Sequence, residues 1–150
     1  MTKRFDPKVL FICLVFMALS SGKSYSVSVD EDGVPIAIQG YDPVAYHTEY
    51  HATKGYSSEC YKYKDMMWYF CSTANKELFV KDPGRYMPAY NGYCAHCMSF
   101  KGFKKLSDPN VWTIEDERLF LFSAEYKKET WGNNAKKNIE KGDKHWESIN

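Results

Sequence analysis

The sequence predicts a small single domain of the α+β class, in which antiparallel β-hairpins carry short packed helices. Two stretches, 56–71 and 111–122, are dense in aromatic and β-favouring residues and have charged residues at their centres. A helical pattern follows each of them, and no repeat of fixed period is evident. The chain beyond the N-terminal segment is long enough for one compact core and too short for two domains.

Residues 1–26 are predicted to be a signal peptide. Basic residues precede the apolar run 9–19, and small residues follow it. The run is about eleven residues long, which is too short to span a bilayer. Cleavage is expected after Gly22 or Ser26, although an uncleaved anchor is the alternative. The domain 27–150 is therefore expected to be periplasmic or secreted, with no membrane insertion after cleavage.

Loss of this segment leaves a domain of nearly neutral charge. Four basic residues and one acidic residue lie within 1–26, so the formal net charge of +1 becomes about −2. Such a domain lacks the basic surface on which nucleic-acid binding depends, so no nucleic-acid partner is expected. Four cysteines remain after cleavage: Cys60, Cys71, Cys94 and Cys97.

The first hairpin is predicted to pair strands 56–63 and 66–71 across a two-residue turn at Lys64 and Asp65. With this turn, Cys60 faces Tyr69 on the opposite strand. The same register pairs Tyr63 with Met66 and Ser58 with Cys71. Cys60 and Cys71 would then be diagonal neighbours, and a small change of register would bring them to disulfide distance.

Helices and a second hairpin complete the prediction. Ser72 is expected to cap a helix that ends near Lys81, and Asp82 with Pro83 can cap one further short turn. Strands 111–114 and 119–122 form the second hairpin, Ser123 caps the next helix, and a last helix covers about 135–141, with Trp131, Ile139 and Trp146 as anchors.

The stretch 91–99 holds the highest density of metal-binding side chains in the sequence. A Cys-x-x-Cys spacing, as in Cys94 to Cys97, lets two thiolates bend onto one ion. His96 and Met98 add an imidazole and a thioether, and this combination favours copper, with zinc next. A closed tetrahedral site needs four ligands, so His96, Met98, Cys71 or Cys60 would have to supply the remainder.

Five stretches spread over residues 33–149 resemble the YHS-domain family, in particular its secreted single-domain members: 38–46, 68–72, 79–86, 91–95 and 139–146. The wider group, which includes TRASH-like domains, binds metal through cysteines in Asp-Pro-Val-Cys and Tyr-Phe-Cys-Ser-x-x-Cys segments. Here Ala45 and Asn75 stand where the first and last of these cysteines would be, and Cys71 alone is retained. The resemblance thus implies a metal set in which Cys71 joins Cys94, His96 and Cys97.

Two other functions remain open at this point. In an oxidising compartment four cysteines tend to form two disulfides, which would make the protein a stabilised, non-catalytic binding module without metal. Alternatively, Cys94 and Cys97 could form a thiol–disulfide redox pair, although no βαβ context of the thioredoxin type surrounds them. No hydrolase or kinase motif is present, so neither of these activities is expected.

Overall fold

The structure is a computed structural model that describes residues 27–150, so the predicted signal peptide lies outside the described residues. The described chain forms a small α+β domain, as its sequence predicts. No helix within 27–150 is long and apolar enough to cross a membrane. The helices and strands are α1 (Ala45–Thr48), β1 (Tyr56–Tyr63), β2 (Met66–Phe70), α2 (Thr73–Lys81), α3 (Pro83–Tyr86), α4 (Ala95–Lys101), β3 (Asp108–Glu115), β4 (Arg118–Phe122), α5 (Glu125–Gly132) and α6 (Ala135–Ser148).

Strands β1 and β2 form the predicted hairpin. Lys64 and Asp65 adopt φ angles of 48° and 57°, the left-handed geometry of a two-residue hairpin turn. The predicted pairs Tyr63 with Met66 and Cys60 with Tyr69 are confirmed.

The predicted pairing of Ser58 with Cys71 is wrong. The register shifts between Tyr56 and Cys60, so Phe70 pairs with Tyr56 and the intervening residues form a bulge. Strand β2 ends at Phe70, and Cys71 therefore lies outside the ladder. The four cysteines of the described chain are all free.

The first two helix caps agree with the sequence. The Ser72 hydroxyl accepts a hydrogen bond from the Asn75 amide at 3.2 Å and so caps α2. The Asp82 carboxylate accepts from the Arg85 amide at 3.3 Å, and Pro83 opens α3.

The predicted cap of α5 is wrong. Ala124 occupies the N-cap position and makes no side-chain bond there. The Ser123 hydroxyl accepts instead from the Lys127 ammonium at 2.8 Å. Ser123 lies one residue before the N-cap position, and its hydroxyl binds the Lys127 side chain instead of capping the helix.

The last helix is longer than predicted. It continues beyond 135–141 through Gly142 and Asp143 to Ser148. Ile139 and Trp146, two of the predicted anchors, are partly buried on this helix, and Trp131 is fully buried.

The two halves of the domain repeat one another at a constant offset of 52 residues. Tyr56 opens β1 and Asp108 opens β3, while Met66 opens β2 and Arg118 opens β4. Both hairpins carry a register shift at the equivalent place, after Tyr56 and after Asp108. The expectation that the chain has no repeat is therefore wrong for the backbone.

A tight turn precedes each hairpin and follows the same offset. The turns cover Ala37–Gly40 and Ala89–Gly92, and each contains three consecutive left-handed residues, the last of them glycine. Ile38 has a φ of 40°, an unusual value for a β-branched residue. The first turn precedes α1 and the second precedes α4, so both lie at equivalent places in the two halves.

Strand β4 lies between two hydrophobic clusters. Leu119 and Leu121 belong to the first, whereas Phe120 and Phe122 belong to the second. The strand is therefore buried on both faces. The first cluster also contains Tyr46, Trp68, Phe70 and Phe79, and the second contains Tyr90, Cys94, Cys97, Met98 and Trp131.

Candidate metal centre

Cys94 and Cys97 lie together at the beginning of α4. Cys94 immediately precedes the helix and Cys97 is in its first turn, so the spacing of three residues places both on one face. The Cys94 amide donates to the Lys105 carbonyl at 2.8 Å, which fixes the entry of the chain into the helix. The Cys94 sulfur is close enough to raise the pKa of the Cys97 thiol, and Cys94 and Cys97 are 0% and 4% exposed. The thiols thus form a buried pair.

The beginning of α5 supplies two further groups to this pair. The Ser123 amide donates to the Cys94 sulfur at 3.3 Å. The Lys127 ammonium lies 3.6 Å from the Cys97 sulfur and also donates to the Ser123 hydroxyl. The sequence analysis did not predict these partners, because the contacts join residues about thirty positions apart.

Burial and the Lys127 cation have opposite effects on the pKa of the Cys97 thiol. Burial raises the pKa of the Cys97 thiol, the nearby Cys94 sulfur raises it further, and Lys127 opposes both. Burial by itself would lower the pKa of Lys127, but the two sulfurs more than offset this and hold it above its ordinary value. Lys127 is therefore a permanent positive charge beside the thiols.

His96 lies at the edge of the same site. Its ring stacks on Phe100 with centroids 4.4 Å apart. Burial and the charge of Lys127 lower its pKa, so the imidazole is neutral at pH 7. His96 and Cys97 both line a cavity of about 250 Å³, together with Phe100, Lys101, Phe103 and Lys127.

Cys71 belongs to a different hydrogen-bond network in the first half of the domain. Its sulfur accepts from the Asn75 side chain at 3.4 Å and lies 3.8 Å from a Glu49 carboxylate oxygen. Burial, followed by the effect of Asp42, raises the pKa of this thiol to about 12. Cys71 is consequently a neutral thiol at ordinary pH.

The structure thus unites part of the predicted metal set. Cys94 and Cys97 are paired and His96 is close by, whereas Cys71 has other partners. Met98 is fully buried in the second hydrophobic cluster. Within residues 27–150, no three His, Cys, Asp or Glu side chains converge in the way that a three-ligand metal site requires.

The offset of 52 residues relates the cysteine pair to the Cys71 network. In the first half the Asp42 carboxylate accepts from the Cys71 amide at 2.8 Å, as the Cys94 sulfur accepts from the Ser123 amide in the second. The two halves therefore share the same backbone arrangement, but the groups that accept the equivalent hydrogen bonds are a carboxylate in the first half and a sulfur in the second. The equivalent pairs are Asp42 and Cys94, Ala45 and Cys97, Cys71 and Ser123, and Asn75 and Lys127.

A scan of the chain against protein-family models found no match, and searches among curated proteins and among solved structures found none either.

Proposed function

We propose that this protein is an exported, YHS-type copper-handling protein that holds one copper(I) ion between the thiolates of Cys94 and Cys97. The observation that carries the proposal is the buried pair of thiols, whose sulfurs both contact the beginning of α5, at the side of a cavity. Thiolates are the ligands that select copper(I) among the common metals.

Ligand number favours copper(I) over zinc. Structural zinc sites are closed by four ligands, whereas two thiolates can satisfy copper(I). Within 27–150 no third Cys, His or carboxylate converges on the pair in the geometry of a metal site. His96 is neutral and adjacent, so it is the residue best placed to assist the two sulfurs during ion entry.

Lys127 supports the same ion by its charge. Two thiolates and one copper(I) carry a net charge of −1, which is costly to bury without a counter-charge. The Lys127 ammonium, 3.6 Å from Cys97, supplies that counter-charge. A divalent ion would leave the centre neutral before Lys127 is counted, so the lysine favours the monovalent ion.

The resemblance to secreted YHS proteins and the N-terminal segment support an export role. Cys97 stands at the position of the second half that corresponds to Ala45, where the family's first thiolate would be. The second half thus carries a thiol where the first half has an alanine. This correspondence supports the proposed site.

The proposal is tested by competition with a chromogenic copper(I) chelator under anaerobic, reducing conditions. The wild-type protein is expected to withdraw about one equivalent of copper(I) from the chelator. Cys94→Ser and Cys97→Ser should each lose this affinity by about two orders of magnitude or more, while Cys60→Ser retains it. Retention of the ion by Cys94→Ser and Cys97→Ser would reject the proposed site.

The competing hypothesis is a structural disulfide. Intact mass after alkylation of the natively exported protein counts its free thiols. Two alkylated thiols at Cys94 and Cys97 support metal handling. A Cys94–Cys97 disulfide that persists together with no copper uptake after reduction would establish the disulfide-stabilised module instead.

A further inference from the structure

We infer that the surface around the Cys97 cavity is a docking site for an acidic protein segment that carries a sulfur donor. The inference rests on the proposed copper(I) function, because it names the partner with which the bound ion is exchanged. The surface consists of His96, Phe100, Lys101, Phe103 and Lys127, which together with Cys97 line the cavity.

The surface around the cavity is positively charged. Two of the residues that line this cavity are lysines, and none of the described residues lining it is a carboxylate. The stretch 83–107, which includes α4 and the following loop, contains no Asp or Glu although the whole chain is nearly neutral. A positive patch on a near-neutral protein attracts a partner of negative charge and raises its rate of encounter.

Two aromatic rings beside the cavity are exposed to solvent. Phe100 is 52% exposed and Phe103 is 44% exposed, although the domain has two well-filled hydrophobic clusters to receive such residues. Neither ring is needed to fill the core. Aromatic side chains beside a cavity supply the apolar anchor points on which protein interfaces depend.

The Cys97 thiol is accessible only through the cavity. Cys97 is 4% exposed and lies in a concave surface, so its sulfur can be reached only by a group that enters the cavity. A flat bilayer cannot supply such a group, whereas a protruding protein segment can. Because copper(I) prefers thiolate and thioether ligands, the entering group would be a cysteine or a methionine.

The docking surface can be tested without metal. The probe is a fluorescein-labelled peptide with two methionines among aspartates and glutamates, and the control peptide has lysines at the acidic positions. Fluorescence anisotropy with the reduced, metal-free protein is expected to show binding at least about tenfold tighter for the acidic peptide at low salt. This preference should decline as the salt concentration rises.

Two variants of the surface and one matched control locate the binding. Lys101→Glu reverses a charge at the cavity, and Phe103→Ser removes an aromatic ring; each is expected to weaken binding of the acidic peptide about tenfold or more. Lys137→Glu makes the same charge change at an exposed site on α6 and should leave binding unchanged. Near-ultraviolet circular dichroism establishes that all three proteins are folded.

Three results would overturn the docking surface: equal binding of the two peptides, wild-type binding by both Lys101→Glu and Phe103→Ser, or binding of anionic phosphatidylserine vesicles without preference for the acidic peptide. The two proposals fail separately. Copper(I) uptake without acidic-peptide binding rejects only the docking surface, and acidic-peptide binding without copper(I) uptake rejects only the metal function.

Discussion

Asp42 is a fully buried carboxylate that organises the first half of the domain. It accepts hydrogen bonds from the Val44 and Cys71 amides and from the Asn75 side chain, each at 2.8 Å. The carboxylate thereby ties the segment before α1 to the end of β2. Its equivalent in the second half is Cys94, so the position that holds structure together in one half holds a thiol in the other.

Asp42→Ala is expected to lower the free energy of unfolding by about 2–4 kcal/mol, because it leaves buried donors without an acceptor. Urea denaturation measures this loss. Asp32→Ala, at an exposed position, is the control and should stay within about 0.5 kcal/mol of wild type. Equal stabilities of the two variants would show that the Asp42 network contributes nothing.

His47 couples the stability of the fold to pH. Its ring packs edge-on against Tyr86 with centroids 5.6 Å apart, and its buried Nε2 has no hydrogen-bond partner among the described residues. Burial, with a smaller effect of Arg85, lowers the pKa of this imidazole below its ordinary value of 6.5.

The sign of the pH effect follows from that lowered pKa. The unfolded chain takes up a proton at His47 as the pH falls below about 6.5, whereas the folded chain resists it, so stability decreases with falling pH. His47→Gln should flatten the dependence of urea-unfolding stability on pH between about 7.5 and 5. An unchanged slope in His47→Gln would assign the pH dependence to other groups.

Residue-level prediction from sequence succeeded where the partner is local. The caps Ser72 and Asp82 bond to amides three residues away, which a sequence pattern can encode. Ser123 matched the same pattern, but its hydroxyl bonds to Lys127 and its amide to Cys94. The tertiary partner at Cys94 lies outside the window in which a capping pattern is recognised.

At the level of elements, hairpin turns were predictable and bulges were not. The turn at Lys64 and Asp65 was predicted, and the second turn lies within the predicted connection 115–118 but is shorter, because Glu115 pairs with Arg118 and only Asp116 and Glu117 remain in the turn. The register shifts that follow depend on what packs against the far end of each strand. A prediction that extends the ladder from the turn therefore fails beyond Cys60.

The length of α6 has a tertiary explanation. Gly142 and Asp143 form a local stop signal, yet the helix continues because Asp143 accepts from the Tyr90 hydroxyl at 3.0 Å and pairs with Arg118. Gly142 permits the close approach of Tyr90: a Cβ there would lie 2.8 Å from its Cζ atom. The glycine is thus a contact site between α6 and the turn before α4.

Gly142→Ala is accordingly expected to destabilise the protein by about 1–3 kcal/mol, since the added methyl group must displace Tyr90 or the helix. Gly132→Ala is a matched control, because an added Cβ meets no atom within 4 Å there. That variant should be neutral or up to about 1 kcal/mol more stable through helix propensity. Thermal unfolding compares the two, and an equal or greater loss in Gly132→Ala would contradict the assigned contact.

For the molecule as a whole, the α+β class was predicted from the aromatic strand segments and the helical patterns that follow them. The repeat was not, because several equivalent core positions carry different residues: Phe79 corresponds to Trp131, and Trp68 to Phe120, although Phe70 and Phe122 are identical. Each exchange preserves a large aromatic volume without preserving identity. Hydrophobic packing tolerates such exchanges, so the backbone repeats while only scattered identities, such as Gly40 with Gly92, remain in the sequence.

The repeat also explains why the predicted metal set was only partly assembled. Cys71 was predicted from the family resemblance, and Cys94 and Cys97 were predicted from their Cys-x-x-Cys spacing. Cys71 lies in the first half of the domain, whereas Cys94 and Cys97 lie in the second. The proposed site then has two sulfur ligands and the counter-charge of Lys127, which a divalent four-ligand centre would not need.

Copper K-edge X-ray absorption of the anaerobic protein loaded with one equivalent of copper(I) counts the sulfur ligands of the bound ion. We expect an ion bound by two sulfur ligands, with a spectrum that Cys71→Ser leaves unchanged and Cys97→Ser abolishes. A centre with three or four sulfur ligands that loses one in Cys71→Ser would contradict it.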